Sequence, residues 1–152
     1  PNRSKEPFSA YLTARRQAMK TGCFMFETAT AKRNQLKVTV NMYGPIITEA
    51  MSHYGESACH LAKIVEKDLE KYTTAMAQSI KETDKEQAFI AAHSCKSICS
   101  LIGVEEAFTL TSEMEVHAKS GDMNSYASLY EQFSVLYKDL DKDLKIYNAD
   151  AK

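Results

Sequence analysis

The chain has 152 residues, 44% of them hydrophobic and 26% charged, with a formal net charge of −1. That length is one domain's worth with room for an extra arm, and the balance excludes both a disordered tail and a membrane-embedded protein. No run approaches the roughly 20 apolar residues of a membrane span. The polar opening Pro1–Lys5 has no apolar signal-peptide core behind it. Pro1 is not an initiating residue, so residues ahead of it are expected in the natural chain, a removed targeting segment among the options. Three prolines and five glycines among many Ala, Lys, Glu, Leu and Met point to helices.

Charge is unevenly spread. Residues 1–43 hold eight Lys/Arg against two Asp/Glu, whereas residues 44–152 hold eleven against eighteen. Gly44-Pro45 is the clear internal break, and it divides the chain into a basic N-terminal arm, 1–43, and a helical domain, 44–152. In the arm, Ser9 to Lys20 can form a short helix ended by Gly22. Leu36-Lys37-Val38-Thr39-Val40 alternates with period two and is β-branched, as a strand would be. The arm therefore reads as a helix plus β-hairpin, with an irregular or helical segment as the alternative. Its basic residues (Arg3, Lys5, Arg15, Arg16, Lys20, Lys32, Arg33 and Lys37) are scattered and form no recognition motif, so nucleic acid is not expected. An intramolecular contact with the acidic domain, or a homodimer through the arm, accounts for them equally well.

Beyond Pro45 the periodicity is helical. Ile46 to His53 makes a short helix ending near Gly55. Ser57 is expected to cap a long helix to about Glu82, with Leu61, Ile64, Val65, Leu69, Tyr72, Met76 and Ile80 as its buried stripe. Thr83 with Glu86, or Asp84 with Gln87, makes a capping-box pattern that opens the next helix, which runs to Ile102 and stops at Gly103. A further helix covers about Val104 to Lys119, ended by Ser120-Gly121-Asp122. The last runs from about Asn124 to Tyr147 with Tyr126, Leu129, Phe133, Leu136, Leu140 and Leu144 on one side. Four long amphipathic helices with very short connections predict an all-α, antiparallel up-down four-helix bundle behind a short first helix.

The cysteines, Cys23, Cys59, Cys95 and Cys99, form no CxxC pair and no secreted disulfide pattern, so a reducing, cytoplasmic setting is expected, with nuclear shuttling as an option. Cys95 and Cys99 read as small apolar residues. A metal site from Cys59, His60, His93 and Cys95 is rejected, because adjacent helical residues point about 100° apart and the second pair straddles core and solvent. His53 and His117 read as ordinary histidines near helix ends.

The informative segment runs from Ala91 to Gly103. Ala88, Ala92, Cys95, Cys99 and Ile102 step by four, three, four and three, which makes them one buried face of small apolar residues. His93, Lys96, Ser97 and Ser100 fall on another face. An imidazole, an ammonium and two hydroxyls displayed together can hold a phosphoryl group, since neutral imidazole is a competent nucleophile near pH 7. By spacing alone, an ordinary solvated face is the better reading.

The segment also resembles the signature of the histidine-containing phosphotransfer (HPt) family, in which a His is followed at +3 by Lys, at +4 by Gly and at +10 by Gly. His93, Lys96 and Gly103 match, and Ser97 departs. Ser112-Glu113-Met114-Glu115 followed by Ala118-Lys119-Ser120-Gly121-Asp122 is similar to the family's helix ending in an acidic residue and a basic-x-Gly-Asp turn. The likeness covers about residues 46–147, and residues 1–43 have no counterpart in it.

The resemblance implies a phosphorelay intermediate. His93 would take a phosphoryl group from a receiver-domain aspartate or a histidine kinase and pass it to another receiver, normally through Nε2. Lys96 would stabilise the phosphate. The receiver would supply Mg²⁺, so the chain would need neither a metal site nor a cofactor of its own, and it would be a carrier rather than an enzyme. Phe89, one turn before His93, either joins the receiver-docking patch or turns into the bundle. Ser97 stands where the family's Gly leaves room for the partner, so its side chain is either harmless, slows transfer or marks a degenerate domain. The alternative function is accordingly a non-phosphorylated helical adaptor that docks signalling partners through the same surface.

Overall fold

The computed structural model describes residues 41–151. The proposed arm helix and hairpin lie outside them. The chain from Asn41 onward forms one compact unit. All regular elements among the described residues are helical: α1 (Gly44–Ser52), a 3₁₀ turn (Gly55–Ser57), α2 (Ala58–Glu82), α3 (Lys85–Leu101), α4 (Glu105–Ser120) and α5 (Met123–Asp150). None of these helices is long and apolar enough to cross a membrane.

The three connections between the long helices share one device. Thr83, Gly103 and Gly121 each adopt a positive φ at the end of a helix, and their N–H groups turn back to Ile80, Ser100 and Ala118. The N–H groups of the next residues, Asp84, Val104 and Asp122, donate to the carbonyls of Ser79, Cys99 and His117, one residue further back. This pair of hydrogen bonds satisfies carbonyls that the helix end would otherwise orphan. The same three residues are the N-caps of the next helices. Asp84 accepts from the N–H groups of Glu86 and Gln87 at 3.0 Å each, so the cap is the aspartate and not Thr83. Asp122 accepts from the Ser125 N–H at 3.1 Å, whereas the apolar Val104 side chain makes no cap and is buried. Each reversal thus needs only a left-handed residue and a cap, and helices adjacent in sequence are forced side by side.

These reversals set the packing: α2 on α3, α3 on α4, α4 on α5, with α2 also meeting α5 and α1 lying on α5 and α2. One core cluster joins Ala62, Val65, Leu69 and Met76 of α2, Phe133, Leu136, Leu140 and Leu144 of α5, and the small stripe of α3. Ala88, Ala92, Cys95, Cys99 and Ile102 are all fully buried, as their spacing predicts. Short side chains there let neighbouring helices approach α3 closely. An Ala92→Leu change would overfill that seam at a cost of about 1–3 kcal/mol. Tyr126 of α5 is buried and donates its hydroxyl to the Ala88 carbonyl at 2.9 Å, which ties α5 to α3.

Several expectations need correction. Ser57 makes no side-chain cap, because the chain enters α2 through the 3₁₀ turn, whose backbone bonds already order that entrance. Ile64 is 42% exposed: the buried line of α2 runs through Ala62, Val65, Leu69, Thr73, Met76 and Ser79, and Ile64 falls beside it. The last helix extends to Asp150, past Tyr147, where the Cys59 thiol reaches the Ala151 carbonyl at 3.2 Å and Asn148 bridges to Ala62 and Glu66. Tyr43, assigned by sequence to the arm, is buried in the helical unit, and its N–H donates to the buried Asp143 at 2.7 Å.

Candidate functional site

His93 stands at the centre of the 17-residue α3. Because the small apolar stripe takes the buried face, the imidazole is displaced outward, and its side chain is 55% exposed. Lys96, one turn on, lies alongside but is only 24% exposed. Its stem covers the seam between α3 and α4 while its ammonium reaches across that seam. Ser97 and Ser100 are exposed on the same side. The Ser97 hydroxyl donates to the His93 carbonyl at 3.1 Å and so is satisfied within its own helix.

The residue that organises this face comes from α4. Glu115 flanks the buried line Ala107, Thr111, Met114 and Ala118, which sets its side chain at the α3 boundary. One carboxylate oxygen, Oε1, lies 3.4 Å from His93 Nδ1, and the other, Oε2, pairs with the Lys96 ammonium. The Lys96 ammonium holds the Glu115 carboxyl below the usual carboxylate range, outweighing the opposing effect of burial, and His93 adds a lesser pull in the same direction. Glu115 is therefore an anion throughout the neutral range, wedged between the imidazole and the ammonium.

Phe89 resolves into neither of its two expected positions alone. It is half-buried against the core, and its ring stacks on the His93 ring at 5.9 Å between centroids and 17° between planes. Lys119 places its ammonium 5.9 Å from the Phe89 centroid, within cation–π range. An open cleft of about 350 Å³ beside this stack is lined by Lys85, Glu86, Phe89, Ile90, Ala118 and Lys119, with Ile90 61% exposed.

The structure thus groups His93, Lys96, Ser97 and Phe89 as the spacing requires, and it adds Glu115 and Lys119. Sequence reasoning missed both of these as parts of the site. The usable signal was Glu115 directly after the core position Met114, an acidic side chain at the edge of a buried stripe. The remaining candidates lie apart from this face. Cys95 and Cys99 are buried free thiols, and the Cys95 thiol is held well above its usual pKa by its hydrogen bond with Cys99 and by burial, as inert core thiols are. His117 contacts Asp122 at 3.3 Å beside the α4–α5 reversal. Among the described residues no three His, Cys, Asp or Glu side chains converge as metal ligands do.

In chemical terms the face offers a solvent-accessible nucleophile, an orienting carboxylate on its Nδ1 edge and an ammonium one turn away. No protein-family model, curated protein or solved structure matches the chain.

Proposed function

We propose that this protein is a phosphorelay intermediate of the HPt type, an antiparallel up-down four-helix bundle that carries a phosphoryl group on His93. The observation that carries the reading is the exposed imidazole at mid-helix with Glu115 at its Nδ1 and Lys96 beside it. A proton on Nδ1 directed at the Glu115 carboxylate leaves the ring's lone pair on Nε2, the atom that would attack. In loading, Nε2 attacks the phosphorus of a receiver's aspartyl phosphate. The P–O bond breaks, and its electron pair returns to the aspartate carboxylate. The receiver brings the Mg²⁺ and most of the charge that stabilises the transition state, so positioning is what the bundle contributes. Phe89 and Ile90, beside His93, provide the apolar centre of a transient docking surface for receivers or a histidine kinase.

Two observations favour the second reading, a non-phosphorylated adaptor. Lys96 is already neutralised by Glu115, and Ser97 puts a side chain where the family has glycine. A single experiment separates the two. Incubation with labelled phospho-receivers should place acid-labile, alkali-stable phosphate on the wild-type chain and none on His93→Gln. The variant should keep its helicity and melt within about 0.5 kcal/mol of wild type, as exposed polar replacements do. Equal labelling of the two proteins would remove His93 from the site, and no label on either from any receiver or kinase would leave the adaptor.

A further inference from the structure

A carrier must release its cargo as readily as it accepts it, and the charge arrangement around His93 bears on release. Lys96 is the cation nearest the imidazole on its own helix, yet its ammonium is taken up by Glu115, whose other oxygen faces His93 Nδ1 at 3.4 Å. A carboxylate in that place affects a phosphoryl group on Nε2 in two ways. It competes with the phosphoryl oxygens for the Lys96 ammonium, and it keeps the proton on Nδ1.

We infer that Glu115 is a positioning residue that keeps the phosphohistidine reactive, by withholding Lys96 from the phosphoryl group and holding the ring in its protonated, easily displaced form. The inference rests on the phosphocarrier reading and concerns the release step, after loading is complete. Once Nε2 has formed its bond to phosphorus, the ring bears phosphorus on one nitrogen and a proton on the other, and is cationic. When an acceptor oxygen attacks the phosphorus, the P–N bond breaks and its electron pair returns to Nε2. With the Nδ1 proton in place, the leaving group is a neutral imidazole instead of an imidazolate, which is far the better leaving group. Glu115, kept anionic by Lys96, stabilises that protonated ring. A carboxylate that merely tied α4 to α3 would have no such effect, because its whole contribution would be the strength of the helix contact.

The full chain is loaded chemically with phosphoramidate, in which Nε2 displaces ammonia from phosphorus, and in parallel from a phospho-receiver. The half-life of the phosphohistidine and its rate of transfer to an unphosphorylated receiver are then measured for wild type and Glu115→Gln. The amide keeps the size of the side chain and removes its charge. The half-life should lengthen by about threefold or more, the scale of one partly exposed ionic contact, and outward transfer should slow to match. In a Lys96→Ala background the same Glu115→Gln change should lengthen it less, since no ammonium remains to be released to the phosphate. An unchanged or shorter half-life would overturn the inference, and so would a Glu115→Gln protein that cannot be loaded by phosphoramidate when wild type can. A lower melting temperature with unchanged half-life would show Glu115 to be a helix tie only. Loading by phosphoramidate without loading from any receiver would count against the phosphocarrier reading, while the half-lives would still decide the role of Glu115.

Discussion

The backbone N–H of Tyr43 donates to the buried carboxylate of Asp143 at 2.7 Å, across a separation of 100 residues. The bond fixes the residue that opens α1 to the last helix, and it lies on a side chain only 2% exposed. A buried acceptor of this kind is costly to remove, because the donor loses its partner without regaining water. Asp143→Ala should lower stability by about 1–3 kcal/mol, and Asp143→Asn by less, since the amide oxygen can still accept. Urea unfolding of the two variants checks this, and an alanine variant as stable as wild type would contradict it. For the same reason a chain lacking residues 1–40 should unfold at higher urea than one lacking 1–43, which has lost buried Tyr43 as well.

How much of this was legible in sequence depended on whether a residue's role was local. The α3 stripe is a pattern within one helix, and every one of its five residues is buried as its spacing requires. Gly103 and Gly121 stop their helices because a positive φ favours glycine, a property of the residue itself. Asp143 was opaque. It sits next to Leu144 in a periodic helix, and nothing local distinguishes a buried aspartate from its exposed neighbour Lys142. Glu115 was opaque for a related reason, since its partners His93 and Lys96 lie on another helix and only the α3–α4 reversal brings them together. Ile64 shows the opposite error, an apolar residue at the margin of a stripe that was read as part of it.

Thr83 closes α2 at φ 55°, ψ 35°, the left-handed conformation that its counterparts Gly103 and Gly121 fill with glycine. A β-branched side chain there meets its own backbone at a cost of about 1–2 kcal/mol. Replacing it with glycine relieves that strain and returns part of the gain as unfolded-chain entropy. Thr83→Gly should therefore raise stability by about 1 kcal/mol or slightly less. Thermal unfolding is the check, and a lower melting temperature would mean that the threonine side chain contributes more than its conformation costs.

Tyr126 sets an alkaline limit on the fold. Burial raises its phenol well above the usual range, and burial likewise pushes Tyr137 up to about 12. In the unfolded chain both ionise near pH 10. Because their folded pKa values are the higher ones, the stability they contribute is complete below about pH 10 and is lost as the pH rises beyond it. Tyr126→Phe removes the hydroxyl bond to Ala88 and should cost about 1 kcal/mol at neutral pH. The gap between variant and wild type should then narrow between about pH 10 and 12, because only wild type still carries the Tyr126 phenol. A gap that stays constant across that range would show that Tyr126 is not responsible for the loss.

Ser97 is the remaining test of the site's shape. It is exposed one turn from His93, and its hydroxyl is committed to the His93 carbonyl at 3.1 Å. That bond satisfies the hydroxyl within the helix, so in the unloaded protein the side chain offers the site bulk more than hydrogen bonding. On the proposed phosphocarrier reading, a receiver that brings its aspartyl phosphate to Nε2 would approach over this face, where it would meet the Cβ and hydroxyl of Ser97. Ser97→Gly should therefore speed phosphoryl exchange with a generic receiver. Its cost in stability should be small, roughly half a kcal/mol for glycine in place of serine in a helix interior. The competing account is that the hydroxyl leaves the carbonyl once phosphate arrives and donates to a phosphoryl oxygen, in which case removing it slows transfer. Single-turnover rates for both proteins, with one generic receiver and one from the same organism, separate the accounts. Faster exchange with the generic receiver alone would mean that the native partner is shaped around the serine. Slower exchange with both would make Ser97 part of the phosphate site and overturn the steric argument.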